Sequence, residues 1–327
     1  FKQEREIRAE KEKREQKEKQ KDITLSDFFH VHYIPIAEKS KKQTSVSNEK
    51  GLFKNWLEPE IGHLSFDRIK PFNLEKVKKN MIDTGRTPRS VQYVFAIFRQ
   101  IWNQARIQDI TAENSPTLKV KIPKVDNKRL RFLTQDEADL LLSNLKKRSV
   151  QLHNMALLSL HTGMRAGEIF SLSWGSINFK TDTITIKDSK SGKTRYVYMT
   201  NATRDMFQSI HADQEGSELV FPDRNGKKMV SVSNSFNRAV DELGLNQGVE
   251  DPRDKVLFHS LRHTFASWHV QAGTDLYTVK ELLGHSTIQL TERYSHLSPD
   301  GLKQAAKMFD ENIGVSNSNV VGLKDVK

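Results

Sequence analysis

One stretch of this 327-residue chain alternates polar and apolar side chains, TDTITIKDSKSGKTRYVYM at 181–199. The alternation runs on both sides of KSGK and predicts a β-hairpin closed by a glycine turn. Elsewhere the apolar residues recur with the helical period, so the expected fold is mainly α with a small β-hairpin or sheet, an α+β class. At this length two domains and a connector fit, and 36% apolar residues supply ordinary cores.

The chain divides by texture. Residues 1–21 carry Glu4/Arg8, Glu10/Arg14 and Glu15/Lys19 at i,i+4 spacing with almost no apolar residue, as a solvated charged helix or linker would. Phe1 in place of an initiator Met leads us to expect a trimmed chain with an N-terminal module outside it. From 22 to 110 four short amphipathic helices are predicted. The first opens with a Thr24-x-x-Asp27 cap, and the last has Thr87 as cap, Pro88 at its first position and a stripe of Val91, Val94, Phe95, Phe98, Ile101 and Trp102. Lys70, Lys76, Lys78, Lys79, Arg86 and Arg89 fall on the polar sides, where they suit DNA gripping and equally suit a solvated face. Residues 111–128 hold two prolines and excess Lys, reading as an extended basic interdomain linker. The second domain, 129–310, begins with a Thr134/Glu137 capping box, and beyond the hairpin it is helical at 201–212, 232–243, 258–272, 275–283, 287–297 and 299–310. Residues 311–327 read as a tail.

Net charge is +11 with a pI near 9.5, which favours a polyanionic partner. The absence of cysteine excludes disulfides, zinc ribbons and thiol catalysis, and fits a reducing interior. No apolar run reaches the roughly 18 residues that span a bilayer, and no signal-peptide pattern opens the chain.

Four segments can carry chemistry. In HTGMRAGEIFSLSW (161–174) Gly163 breaks a helix that restarts after Arg165, where the guanidinium can face an anion and Glu168 can hold it or the nearby backbone; a structural ion pair reads the same way. The hairpin crowds Lys190, Lys193 and Arg195 at its turn, where most basic residues are solvated but a lysine can reach a DNA groove or a reaction centre. FHSLRHTFASWHV (258–270) buries Phe258, Leu261, Phe265 and Trp268 and sets His259 and Arg262 on a neighbouring face. A zinc site at His259 and His263 lacks the Glu of H-E-x-x-H, since Ser260 follows His259. In KELLGHSTIQLTERYSHL (280–297) one straight helix would point His285 and Tyr294 to opposite faces, so Gly284 is expected to end one helix and Ser286 or Thr287 to cap the next, leaving His285 in the joint. Leu290 and Leu297 would equally make Tyr294 a core tyrosine.

Arg165 in TGMRAGEI, Lys190 in SKSGKTR, His259 and Arg262 in HSLRHTFAS, His285 in LLGHS and Tyr294 in TERYSHL together resemble the active-site set of the tyrosine recombinase (phage integrase) family, in its usual order. The resemblance covers roughly 129–310. The segment 22–110 is similar to that family's core-DNA-binding domain in size, position and helical texture.

The resemblance implies DNA strand cleavage and rejoining through a 3′-phosphotyrosyl intermediate. It casts Tyr294 as nucleophile, Arg165 and Arg262 as phosphate clamps, and His285 as a further donor. His259 would be the base or positioner of the phenol and Lys190 the general acid, with Glu168 and His263 in support. No cofactor or metal is implied, because the arginines supply the charge, and the chain has no P-loop. Double-stranded DNA is the implied partner, with Lys121, Lys124, Lys128, Arg129, Arg86, Arg89, Lys193 and Arg195 as contacts and the two domains closing around the duplex. A homotetramer exchanging C-terminal segments, accessory excisionase or DNA-bending proteins, and a bacterial cytoplasmic, nucleoid-associated location are also implied, with no membrane. A monomeric type IB topoisomerase and a DNA-binding regulator with vestigial catalytic residues are the alternatives.

Overall fold

The structure, a computed structural model, describes residues 23–123, 131–187, 194–211, 215–298 and 309. The charged segment 1–21, Lys124, Lys128, Arg129, Lys190, Lys193, the helix expected at 299–310 apart from Phe309, and the tail 311–327 lie outside them. The chain forms two compact units, divided between Asp126 and Asn127.

The first unit has the four helical runs that the periodicity predicts: α1 (25–40), α2 (43–62), α3 (Pro71–Asp83) and α4 (Pro88–Ile107). Thr24 caps α1 by accepting from the Asp27 N–H, and Thr87 caps α4 by accepting from Ser90 N–H with Pro88 in the first turn. Such a cap contributes about 1 kcal/mol. Both α1 and α2 widen into a π turn, at Phe29–Tyr33 and Phe53–Gly62, beside Pro35 and Pro59. A proline ring crowds the carbonyl four residues back and offers no N–H, so the turn opens there. The α4 stripe is buried as expected, with Trp102 Nε1 donating to Glu113 O at 2.9 Å.

That bond ties the segment beyond α4 to the helix. The supposed extended linker is folded onto the first unit as far as Pro123. Pro116–Lys119 form a 3-10 turn, Val120 is buried and Ile122 packs on the same core. The reason lies in the residues: Pro116, Val120 and Ile122 are apolar at spacings that let one side of an irregular strand bury.

In the second unit α5 (Gln135–Arg148) and α6 (Val150–Thr162) pack together, and α5 opens with the reciprocal Thr134/Glu137 box. After α7 (Ala166–Ile169) comes a three-stranded antiparallel sheet in the order β1 (Ile177–Asn178), β2 (Thr183–Ile186), β3 (Arg195–Tyr198). The hairpin therefore gains a short edge strand that its alternation did not foretell. Helices α8 (Asn201–Ile210) and α9 (Ser235–Glu242) lead to α10 (Phe258–Gln271), which packs on α6, and then to α11 (Leu276–Leu283). The helix expected at 287–297 is instead two 3-10 turns, Ile288–Leu290 and Glu292–Leu297, meeting at the fully buried Thr291. No described helix is long and apolar enough to cross a membrane.

Candidate active site

Arg262 sits in the middle of α10 and is 2% exposed. A guanidinium at that depth needs partners, and it finds two carbonyls: Gly163 O, and Leu283 O at 2.7 Å. These stand at the C-terminal ends of α6 and α11, where unpaired carbonyls and the helix dipole favour a cation. Both helices end on a left-handed glycine, Gly163 at φ 65° and Gly284 at φ 62°. A Cβ on Gly163 would meet Phe265 Cδ1 at 2.6 Å, so the close approach of α6 to α10 also requires the glycine. Burial, and then Arg165, push Arg262 down to about 9, leaving it cationic at neutral pH.

Arg165 precedes α7. Its N–H and Nη1 both donate to the Glu168 carboxylate at 2.9 Å, as the spacing of the two residues suggests. Glu168 has a second cation that the sequence reading places elsewhere. Arg195, expected to reach DNA from the hairpin, is turned inward, with Nη2 on Glu168 at 2.8 Å and Nη1 on Leu282 O at 3.0 Å. A signal for this exists in the sequence: Arg195 pairs with Ile186 in the same face as Val197 opposite Ile184, so the alternation itself points it into the core. Gly284 is needed here too, because a Cβ would strike Arg195 Cδ. Burial raises the Glu168 carboxyl, but Arg195, the Arg165 N–H and Arg165 outweigh it and hold it below the usual carboxylate value.

Tyr294 is 5% exposed in the 3-10 turn Glu292–Leu297 and packs in a small cluster with Phe265, Val279 and Leu283. The ring is packed while the hydroxyl meets His263 Nδ1 at 2.5 Å. The histidine on the phenol is thus His263, where sequence reasoning puts His259. His259 lies one turn back on α10, its ring 4.8 Å from that of His263, and is exposed. Burial pushes the Tyr294 phenol up to about 12, against the lowering effect of Arg293 and Arg262.

His285 does occupy the joint that Gly284 makes. Its Nδ1 is 2.9 Å from Thr291 Oγ1, so the buried hydroxyl where the two 3-10 turns meet orients the ring. No side-chain cap from Thr287 forms. Burial, followed by Arg262, Arg165, Arg293 and Arg195, drives His285 down to about 3 and keeps it neutral at physiological pH.

These groups converge on one pocket of about 420 Å³, lined by Arg165, His259, Arg262, His263, Gly284, His285, Ser286, Leu290, Arg293 and Tyr294. Among the described residues the lining contains three arginines and no carboxylate. Arg293 is absent from the sequence-derived set; its Nε is buried without a hydrogen-bond partner. Nothing in TERYSHL distinguishes it from a solvated arginine. Such a lining can hold an anion and set a phenol beside it. Among the described residues no three His, Asp, Glu or Cys side chains gather as a metal cage would need.

Of the other basic residues named from the sequence, Arg86 lies over the Trp56 ring at 5.2 Å and Arg89 over Tyr93 at 4.6 Å, both exposed in the first unit. Lys121 is exposed, and its carbonyl accepts from Lys78 Nζ at 3.1 Å.

The phage integrase family model matches residues 131–300. The tyrosine recombinase XerD of Oceanobacillus iheyensis is 26% identical over 300 residues, covering 88% of this chain and 98% of its own. Among solved structures, the Tn1549 transposon integrase in complex with a circular intermediate DNA superposes with a TM-score of 0.71 at 17% identity, over 88% of this chain and 99% of that one. A lambda integrase tetramer bound to a Holliday junction gives 0.66 at 19% identity, over 81% and 78%. Five motifs in family order, the α+β fold and the family match agree, and the chain belongs to the phage integrase family of tyrosine site-specific recombinases.

Proposed function

We propose that the protein is the integrase of a phage or other mobile element, cutting and rejoining duplex DNA through a 3′-phosphotyrosyl bond to Tyr294. The observation that carries this is the pocket in which Arg165, Arg262 and the Tyr294 side chain meet, with no carboxylate among its described lining residues. A phosphodiester resists attack because its own charge repels nucleophiles, and more charge gathers on its non-bridging oxygens in the transition state. Arg262 uses two of its N–H groups on carbonyls and has others left for a phosphate oxygen; Arg165, held by Glu168, supplies the second cation.

His285, neutral and with Nδ1 at the Thr291 hydroxyl, keeps Nε2–H to donate to the same phosphate when the threonine donates to Nδ1. His259, at the exposed rim of the pocket, suits contact with a phosphate oxygen. In the step itself the phenol loses its proton, the Tyr294 oxygen bonds to phosphorus, and the bond to the 5′ oxygen breaks. Lys190 is the residue assigned to protonate that leaving oxygen. The reverse sequence reseals the strand with no energy source, since the phosphotyrosine linkage conserves the broken ester.

Double-stranded DNA is the substrate, and Arg86, Arg89 and Lys121 are assigned sequence-neutral, salt-sensitive phosphate contacts. Work as four protomers on two duplexes is proposed by analogy with the lambda integrase tetramer on its junction. The test is covalent capture. The protein is mixed with nicked duplexes of randomised sequence in the presence of a chelator, and DNA that stays attached under denaturing conditions is recovered and sequenced. The reading expects a common recovered sequence; recovery of no attached DNA would overturn it.

A further inference from the structure

We propose that His263 is the group that takes the phenol proton as Tyr294 attacks, which rests on the recombinase reading above. The hydroxyl has to lose a proton inside a packed cluster, where burial disfavours the phenolate, so an acceptor must stand within hydrogen-bond reach. His263 Nδ1 is 2.5 Å from that hydroxyl, and both residues are 5% exposed. The rest of the lining supplies few rivals. Arg165, Arg262 and Arg293 are donors, no Asp or Glu among the described residues lines the pocket, and His285 directs its Nδ1 to Thr291. His259 remains, one helical turn back on α10 and at the exposed rim.

The step balances. The phenol O–H bond breaks and its proton goes to the Nδ1 lone pair, giving an imidazolium. The oxygen so freed bonds to phosphorus, and the departing 5′ oxygen receives a separate proton from the general acid. The pocket that His263 lines with Tyr294 also carries His259, His285 and the cations of Arg165, Arg262 and Arg293. A bound phosphodiester offsets that charge, so proton transfer is coupled to substrate occupancy, and an unloaded site keeps its tyrosine inert.

The experiment uses the full chain and the duplex recovered by covalent capture, and measures single-turnover adduct formation. His263→Ala is expected to slow it about 10²- to 10⁴-fold while the duplex is still bound. Replacing Tyr294 in that variant by a fluorinated tyrosine, whose phenol ionises near neutral pH, is expected to restore most of the rate. His259→Ala, acting on the phosphate, should gain no such rescue. His263→Asn, which keeps a polar side chain against the hydroxyl, serves as the control for packing and should remain slow. Adduct formation by His263→Ala near the wild-type rate, or failure of the acidified phenol to help a folded, DNA-binding variant, overturns the assignment alone. Absence of any adduct from the unmodified protein overturns the recombinase reading as well.

Discussion

Tyr33 in the first unit and Tyr294 in the second are both buried phenols whose ionisation burial opposes, yet the charges around them are balanced in one case and positive in the other. Tyr33 hydroxyl lies 3.0 Å from Glu49 Oε2 and 2.8 Å from Lys41 Nζ, and Lys41 also reaches Glu49 and Gln100. Burial and then the Glu49 carboxylate raise its pKa. Every charge there has its counter-charge, so the network is closed and suits only holding α1, α2 and α4 together. Around Tyr294 the neighbours are His263, Arg262 and Arg293, and the cations lower what burial raises. Among the described residues of the second unit, the pocket lining gathers three arginines and no carboxylate, an arrangement that is costly for folding alone and suits an anion.

The contrast is sharpest for the two phenols. Tyr294→Phe should abolish covalent DNA attachment while leaving DNA binding intact, read as loss of the slow-migrating adduct on a denaturing gel. Tyr33→Phe should leave the attachment rate unchanged and lower unfolding stability by about 1–3 kcal/mol, because buried Glu49 loses a donor. Equal effects of the two substitutions on attachment would erase the distinction.

Next in size is Arg262→Lys. An ammonium cannot bond Gly163 O and Leu283 O and still present a planar edge to a phosphate, so attachment is expected to slow about 10²- to 10³-fold. Single-turnover rates with bound duplex would report it; retention of the rate would mean the clamp is not at Arg262.

Glu168→Gln tests the support behind the clamp. It keeps one acceptor oxygen, puts an N–H donor in place of the other against an arginine, and removes the charge that Arg165 and Arg195 share; the attachment rate is expected to fall roughly tenfold, the loss of about 1.4 kcal/mol of transition-state stabilisation. An unchanged rate would reduce Glu168 to a folding role.

The last effect concerns pH and is read on stability, not on attachment. His285 titrates near 6.5 when unfolded and is held at about 3 in the folded chain. Below the unfolded value the unfolded state binds a proton that the folded state refuses, so this group's contribution to stability is present above about 6.5 and is lost as pH falls toward 3. Urea midpoints of DNA-free protein at pH 7 and pH 4.5 should therefore differ more for the wild type than for His285→Gln. Parallel shifts would argue that the imidazole is not held neutral.

Much of the architecture is legible because local rules are obeyed. Thr24, Thr87 and the Thr134/Glu137 box mark helix starts, and Gly163 and Gly284 mark the two ends that deliver carbonyls to Arg262. What the sequence hides is set by tertiary packing. His259 and His263 are four residues apart on one helical face, so spacing cannot say which meets Tyr294; the packing of Tyr294 against Phe265 and Leu283 decides it. The 287–297 segment looks helical by period, but Thr291 is drawn inward to His285 and divides it into two tight turns. Arg195 is legible in principle from its phase with Val197, and is misread when a basic residue near a turn is taken to face solvent.

The most direct measurement is peptide mapping of the protein–DNA adduct formed on a nicked duplex. The account requires the DNA 3′-phosphate to be found on the peptide containing Tyr294, with the phosphate on that side chain. Attachment at any other residue, or through a 5′-phosphate, would contradict it.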